Sequence, residues 1–168
     1  MIKKIGFLVT ILLAMIVWSN STFAYNTGDD YPSKYKNAAT GTVADEWNFY
    51  NRNCTSFVAW CLNSRNGVAF TNQYKGASRW GNAITWGTVA KNMGIPVDRT
   101  PAVGAVAWWN TGTYGHVAWV KRVTGSNITI EEYNWSTVGG YGERTIASSS
   151  VTGGFIHIKD ISSYTSVP

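Results

Sequence analysis

The stretch Asn53-Cys54-Thr55-Ser56-Phe57-Val58-Ala59-Trp60-Cys61-Leu62-Asn63-Ser64-Arg65-Asn66-Gly67 decides how the rest of the chain is read. Cys54, Phe57, Val58, Cys61 and Leu62 recur at i, i+3, i+4, i+7 and i+8, the stripe of a helix buried along one side. Asn53 suits the N-cap and Gly67 the stop. Along a helix seven residues rise about 10.5 Å. A disulfide cannot join Cα atoms more than about 7 Å apart. The spacing therefore predicts two reduced thiols, although export would favour pairing them.

The two cysteines then differ in character. Cys61 sits inside the stripe and reads as a small buried hydrophobe. Cys54 is the first helical residue, where the partial positive charge of the helix start favours a thiolate. Taken alone it is equally compatible with an ordinary buried thiol. A zinc site is disfavoured, because six residues separate the cysteines and the chain has only two histidines.

Towards the N-terminus, residues 25–53 read as a polar, irregular entry segment with a turn at Gly28–Pro32. Before it, Met1-Ile2-Lys3-Lys4, the apolar run Ile5–Val17 and the small or polar residues up to Ala24 have the make-up of a secretory signal peptide cut after Ala24. The run is shorter than the roughly 20 apolar residues of a membrane span. Residues 25–168 then form one small domain, expected to be monomeric. Losing Lys3 and Lys4 takes the formal charge from +5 to +3. No Lys/Arg run remains to track a nucleic-acid backbone. The mild positive charge fits simple solubility or a bias towards anionic surfaces such as a bacterial wall. Of the nine tryptophans, eight lie beyond Ala24, most of them core residues and some suited to lining a groove.

Towards the C-terminus, Gly67–Gly81 reads as loop. Asn82 can cap a second helix in which Trp86, Val89, Ala90 and Met93 share a face, stopped by Gly94 and Pro96. After Pro101 the period becomes two. Ala102–Trp109, His116–Val123, Ile128–Trp135, Tyr141–Ala147 and Gly154–Lys159 read as strands. Helices followed by strands predict an α+β domain, with the helices packed on an antiparallel sheet.

A thiolate that attacks an amide needs a partner to protonate the leaving amine, and histidine is the usual choice. His116 opens a strand just after the flexible Tyr114–Gly115 step, where a ring can face a cleft; His157 lies within Phe155–Ile158, where packing or an edge is expected. The ring's other nitrogen needs an orienting group. Glu131, Glu132 and Asn134 lie on the next strand, and hairpin parity chooses among them. A three-residue loop (Thr124–Ser126) sets His116 opposite Asn134, with Glu132 as its diagonal neighbour. An even loop presents Glu131 instead.

The segments NCTSFVAW (53–60), PAVGAVAWW (101–109), GHVAWV (115–120) and EEYNW (131–135) together resemble the CHAP domain, the cysteine, histidine-dependent amidohydrolase/peptidase family related to NlpC/P60 enzymes. The resemblance runs from about Tyr31 to Lys159. It implies a papain-like fold and cleavage of amide bonds in bacterial peptidoglycan, by a protein that is secreted, extracellular or wall-associated. It also implies that Cys54 is the nucleophile, His116 the general base and acid, Glu132 the orienting carboxylate and Asn134 the polar residue completing the site. Asn53 stands where relatives often carry Gln, in a position to hold the oxyanion. Trp109 and Trp135 are candidates to wall the substrate groove, as are Trp108 and Trp119. Some calcium-binding relatives have Asp where this chain has Ser56, and Asp45 with Glu46 makes a thin calcium site; no metal or cofactor is expected. A wall-binding surface antigen without turnover, or an antibacterial wall-degrading toxin, would share much of this pattern.

Overall fold

The computed structural model describes residues 28–161; the leader expected over residues 1–24 lies outside them. The entry segment contains one turn of helix, α1 (Ser33–Lys36), which the sequence does not announce. Helix α2 (Cys54–Ser64) buries Phe57, Val58, Cys61 and Leu62, four of the five stripe residues. It ends three residues before Gly67, because Arg65 and Asn66 turn their side chains into the interior. The Arg65 guanidinium pairs with Glu131 and Asp30. The Asn66 amide donates to the carbonyls of Gly104 (2.8 Å) and Lys159 (2.6 Å) and accepts from the Trp119 indole (2.9 Å). A buried amide so fully satisfied ties the helix end to the sheet.

Helix α3 (Ala83–Asn92) buries Trp86 and Ala90, with Val89 and Met93 partly covered beside them. Gly87 sits in its middle, where glycine costs up to about 1 kcal/mol relative to alanine. A Cβ there would collide with the Trp108 ring. The Trp108 indole in turn donates to the Ala83 carbonyl at 2.8 Å. This lock fixes the start of α3 on the sheet.

Six strands follow: β1 (Val97–Asp98), β2 (Val106–Trp109), β3 (His116–Thr124), β4 (Asn127–Tyr133), β5 (Tyr141–Ala147) and β6 (Gly154–Ile156). They form one antiparallel sheet in the order β1-β6-β2-β3-β4-β5. Three expected strands are shorter than the sequence pattern suggests. Residues 102–105 lead into β2 through Gly104 at φ 84°, Asn134 leaves β4 at φ 59°, and β6 stops at Ile156. The two-residue β1 has too little sequence to show a period.

Strand alternation splits the interior in two. Val117, Trp119 and Tyr133 face the helices within the larger core. Ala118, Val120, Ile128 and Ile130 face a smaller one closed by Phe155 and Val151. The β3–β4 turn is two residues, Gly125 and Ser126, since Thr124 pairs with Asn127. Gly125 supplies the positive φ (56°) that such a turn wants at its first position. The three-residue loop is thus corrected. A bulge at Lys121, between the Val120↔Ile130 and Arg122↔Thr129 pairs, adds back the missing residue. Below it Trp119 pairs with Glu131, and the same register places Ala118 level with Glu132. Glu132 therefore shares a face with His116.

Candidate active site

Asn53 occupies the N-cap position of α2 with extended backbone (ψ 158°), yet its side chain makes no capping bond. The first N–H to bond within the helix is that of Phe57, to the Asn53 carbonyl at 3.1 Å. The Cys54 N–H precedes that ladder and points out of the helix start. The Asn53 amide instead donates to the Tyr50 carbonyl at 3.2 Å and accepts from the Asn134 amide at 3.0 Å. Asn134, in its left-handed conformation, also accepts from the Gly139 N–H at 2.7 Å. Asn134 thus braces Asn53 and does not bond the imidazole.

His116 opens β3 opposite Trp109 on β2. The Tyr114–Gly115 step before it is pinned rather than loose. The Tyr114 carbonyl accepts from the Ile84 N–H at 2.7 Å. A Cβ on Gly115 (φ 66°) would lie 2.6 Å from the Ile84 Cα and 2.8 Å from the Trp109 carbonyl. Glycine is needed here on both counts, and the contact sets where the ring emerges.

The ring itself is buried, 3 % exposed, and its Nε2 meets Glu132 Oε2 at 2.8 Å. Cys54, half-buried, lines the same cleft and favours the protonated imidazole together with Glu132, which leaves Nδ1 as the ring nitrogen open to the thiol. Burial opposes the charged ring, but the hydrogen bonds and charges of Cys54 and Glu132 outweigh it and push the His116 pKa up to about 9. Burial likewise works against the Glu132 anion, yet His116 and Arg144 hold its carboxyl below the usual range. Glu131, next in sequence, points to the opposite face. It pairs with Arg65, lies 3.6 Å from Lys121 and accepts from the Tyr141 hydroxyl at 2.6 Å. Cys61 is fully buried beside Arg65, and burial pushes its thiol up. His157 lies apart, between Asp160 (2.7 Å) and Asp98 (3.2 Å).

Cys54 and His116 open on a cleft of about 460 Å³. Its lining includes five asparagines, Asn48, Asn53, Asn72, Asn82 and Asn134, together with Arg79, and neither Asp nor Glu. Trp135, 53 % exposed, lines the cleft and packs its ring 4.6 Å from that of His116. Trp109 lies outside the lining, 5.5 Å from the imidazole, and donates to the Ser150 carbonyl at 2.9 Å. Trp108 and Trp119 are buried in the core. Arg144, on β5, goes unnoticed in sequence because nothing in its own segment marks it. Its Nε donates to Glu132 Oε1 at 2.6 Å.

Among the described residues no group of three or more His, Cys, Asp or Glu is placed to hold a metal ion. Asp45 does not fit calcium. Its Oδ1 accepts from the Trp47 and Phe49 N–H groups at 2.9 Å each, and its Oδ2 accepts from the Ser56 hydroxyl. Calcium needs several free oxygens, whereas this carboxylate is already the hub of its own loop. Glu46 turns outward to Lys34 instead.

Known proteins resemble parts of the chain. Over 87 residues the chain is 39% identical to the Staphylococcal secretory antigen ssaA2 of Staphylococcus aureus, covering 48% of this chain and 31% of that one. Over 82 residues it is 44% identical to the probable autolysin SsaALP of the same species, covering 46% and 31%. The chain thus matches about a third of the length of these relatives. A crystal structure of an N-acetylmuramoyl-L-alanine amidase from Staphylococcus aureus superposes with a TM-score of 0.57 at 25% identity, over 68% of this chain and 33% of that one. It shares the papain-like α+β arrangement. The CHAP domain family model matches residues 44–134, more than half of the chain and the segment that holds Cys54, His116, Glu132 and Asn134, so the protein belongs to the CHAP domain family.

Proposed function

We propose that this protein is a secreted cysteine hydrolase that cuts amide bonds of bacterial peptidoglycan, with Cys54 as nucleophile and His116 as general base and acid. The observation that carries the reading is one cleft that holds both the thiol at the start of α2 and a buried imidazole whose Nε2 meets the Glu132 carboxylate at 2.8 Å. That order is the nucleophile, base and orienter needed for acyl transfer. The family match, the name "probable autolysin" and the amidase neighbour support peptidoglycan as the substrate. The name "secretory antigen", with the leader-like residues 1–24, supports export.

In the proposed reaction His116 takes the Cys54 proton and sulfur attacks the amide carbonyl. The Cys54 N–H and the Asn53 amide, braced by Asn134, face the developing oxyanion; one such donor is typically worth about 3 kcal/mol. The imidazolium then gives its proton to the leaving amine, and a water activated by the same ring releases the acyl group. Glu132 keeps the ring oriented and stabilises its charge throughout. Trp135 forms one side of the cleft through which the stem peptide enters.

Digestion of purified peptidoglycan, followed by mass analysis of the fragments with Cys54→Ala as the blank, tests the reading. Lactyl-ended glycan with intact stems identifies an amidase. New amino groups on stem or bridge residues identify an endopeptidase. Sacculi left whole by the wild type overturn the proposal.

A further inference from the structure

The Glu132 carboxylate is held at both ends. Its Oε2 meets His116, while Arg144 donates from Nε to Oε1 at 2.6 Å and from Nη2 to Oε2 at 3.2 Å. A guanidinium fork of this kind fixes the plane of a carboxylate as well as its charge. Without it the carboxylate is free to turn about its last torsion. Arg144 is itself placed by two indoles, 5.7 Å from the Trp109 ring and 5.2 Å from the Trp135 ring. The same two rings flank the imidazole. One aromatic bracket thus holds the base and the cation at opposite ends of a single anion. Glu132 is 1 % exposed, so this is no loose surface pair.

We infer that Arg144 is a positioning residue for the reaction, which aims Glu132 at His116 and moderates its pull on the imidazolium so that the ring can release its proton to the leaving amine. The inference rests on the proposed roles of Cys54, His116 and Glu132. An undivided Glu–His ion pair would hold the proton more tightly than acid catalysis at neutral pH favours. Arg144 is absent from the cleft lining, so its effect falls on turnover and not on substrate capture.

The test uses the full chain with Arg144→Gln and Arg144→Lys, with kcat and KM measured across pH on a soluble muramoyl peptide. In Arg144→Gln, kcat should fall about ten- to a hundredfold with KM unchanged. The alkaline limb should move above its wild-type position, because the anion is no longer shared. Arg144→Lys keeps the charge but not the fork; it should restore the limb and only part of kcat. In a Glu132→Gln background there is no anion left to share, so Arg144→Gln should cost far less than it does alone. A purely structural salt bridge would lower stability without moving the limb. Wild-type kcat with an unmoved limb in both variants, or a loss confined to KM, overturns the inference. If Cys54→Ala or His116→Ala stays active, the underlying reading fails instead. Should Arg144→Gln not fold, Arg144→Lys carries the decision: kcat within twofold of wild type counts against the inference.

Discussion

Glu132→Gln offers the sharpest test of the site, because the structure fixes which way the new amide must point. Arg144 offers only donors, so the carbonyl oxygen of the introduced amide will turn to it and the NH2 group will face His116. The ring must then accept at Nε2 and carry its proton on Nδ1, towards Cys54. That is the tautomer unable to take the thiol proton. Turnover should fall about 10²- to 10⁴-fold, the range spanned by a lost general base. The charge change adds a second signature. His116 moves from its ordinary 6.5 to about 9 in the folded protein, against the burial penalty. At about 1.36 kcal/mol per pH unit this is about 3 kcal/mol in favour of the imidazolium, shared between Cys54 and Glu132. An opposite charge at this range usually accounts for about one to three pH units.

Removing the anion should therefore bring the alkaline limb of kcat/KM down from near 9 by at least about one unit. With only two histidines in the chain, ring NMR can follow His116 directly, with His157 as an internal reference. The same titration in Cys54→Ala apportions the remainder. A Glu132→Gln protein whose His116 still titrates near 9, or whose turnover stays within about tenfold of wild type, would refute the reasoning.

Four further outcomes follow from the same geometry. Gly115→Ala should cost about 2 kcal/mol or more in urea unfolding, from the left-handed backbone and the contacts with Ile84 and the Trp109 carbonyl; a cost below about 0.5 kcal/mol would show the step is not pinned. Asn134→Gly keeps the positive φ but frees Asn53, so kcat should drop about tenfold while the alkaline limb stays in place; a shifted limb would mean that Asn134 acts on the ring after all. The His116 pKa is raised on folding, so its stabilising contribution is complete below about 6.5 and is lost as pH climbs through about 9; the lowered Glu132 pKa contributes above about 4.5 and is lost on further acidification. Thermal melts across pH should show both limbs in the wild type and neither in a Glu132→Gln/His116→Ala chain. Chelator should leave activity and melting temperature unchanged, because the Asp45 oxygens already hold protein donors; restoration by added calcium would contradict that.

What can be read from sequence, and what cannot, divides along a physical line. The stripe through Cys54, Phe57, Val58, Cys61 and Leu62 marks α2 because one buried face has to repeat with the helix. The order of Cys54, His116 and Glu132 likewise shows in the chain itself. Placing Glu132 on the His116 face rests on hairpin parity, and parity counts every inserted residue. The turn is one residue shorter than the odd loop needs, and the bulge at Lys121 supplies the difference. Lys121 lies against Glu131 and Glu143 beside the buried Arg65. Nothing in the strand pattern announces a bulge there, and the charges that surround Lys121 come together only once the end of α2, β4 and β5 have packed around it. Arg144 escapes notice for the same reason, since its tie to Glu132 exists only after β4 and β5 have paired with Glu132 opposite Gly142. Asn134 falls among the candidate partners of the ring because it follows Glu132 by two; its left-handed backbone turns it to Asn53 instead. Local periodicity thus sets the elements and the reactive pair, while the aim of that pair depends on long-range pairings that periodicity does not encode.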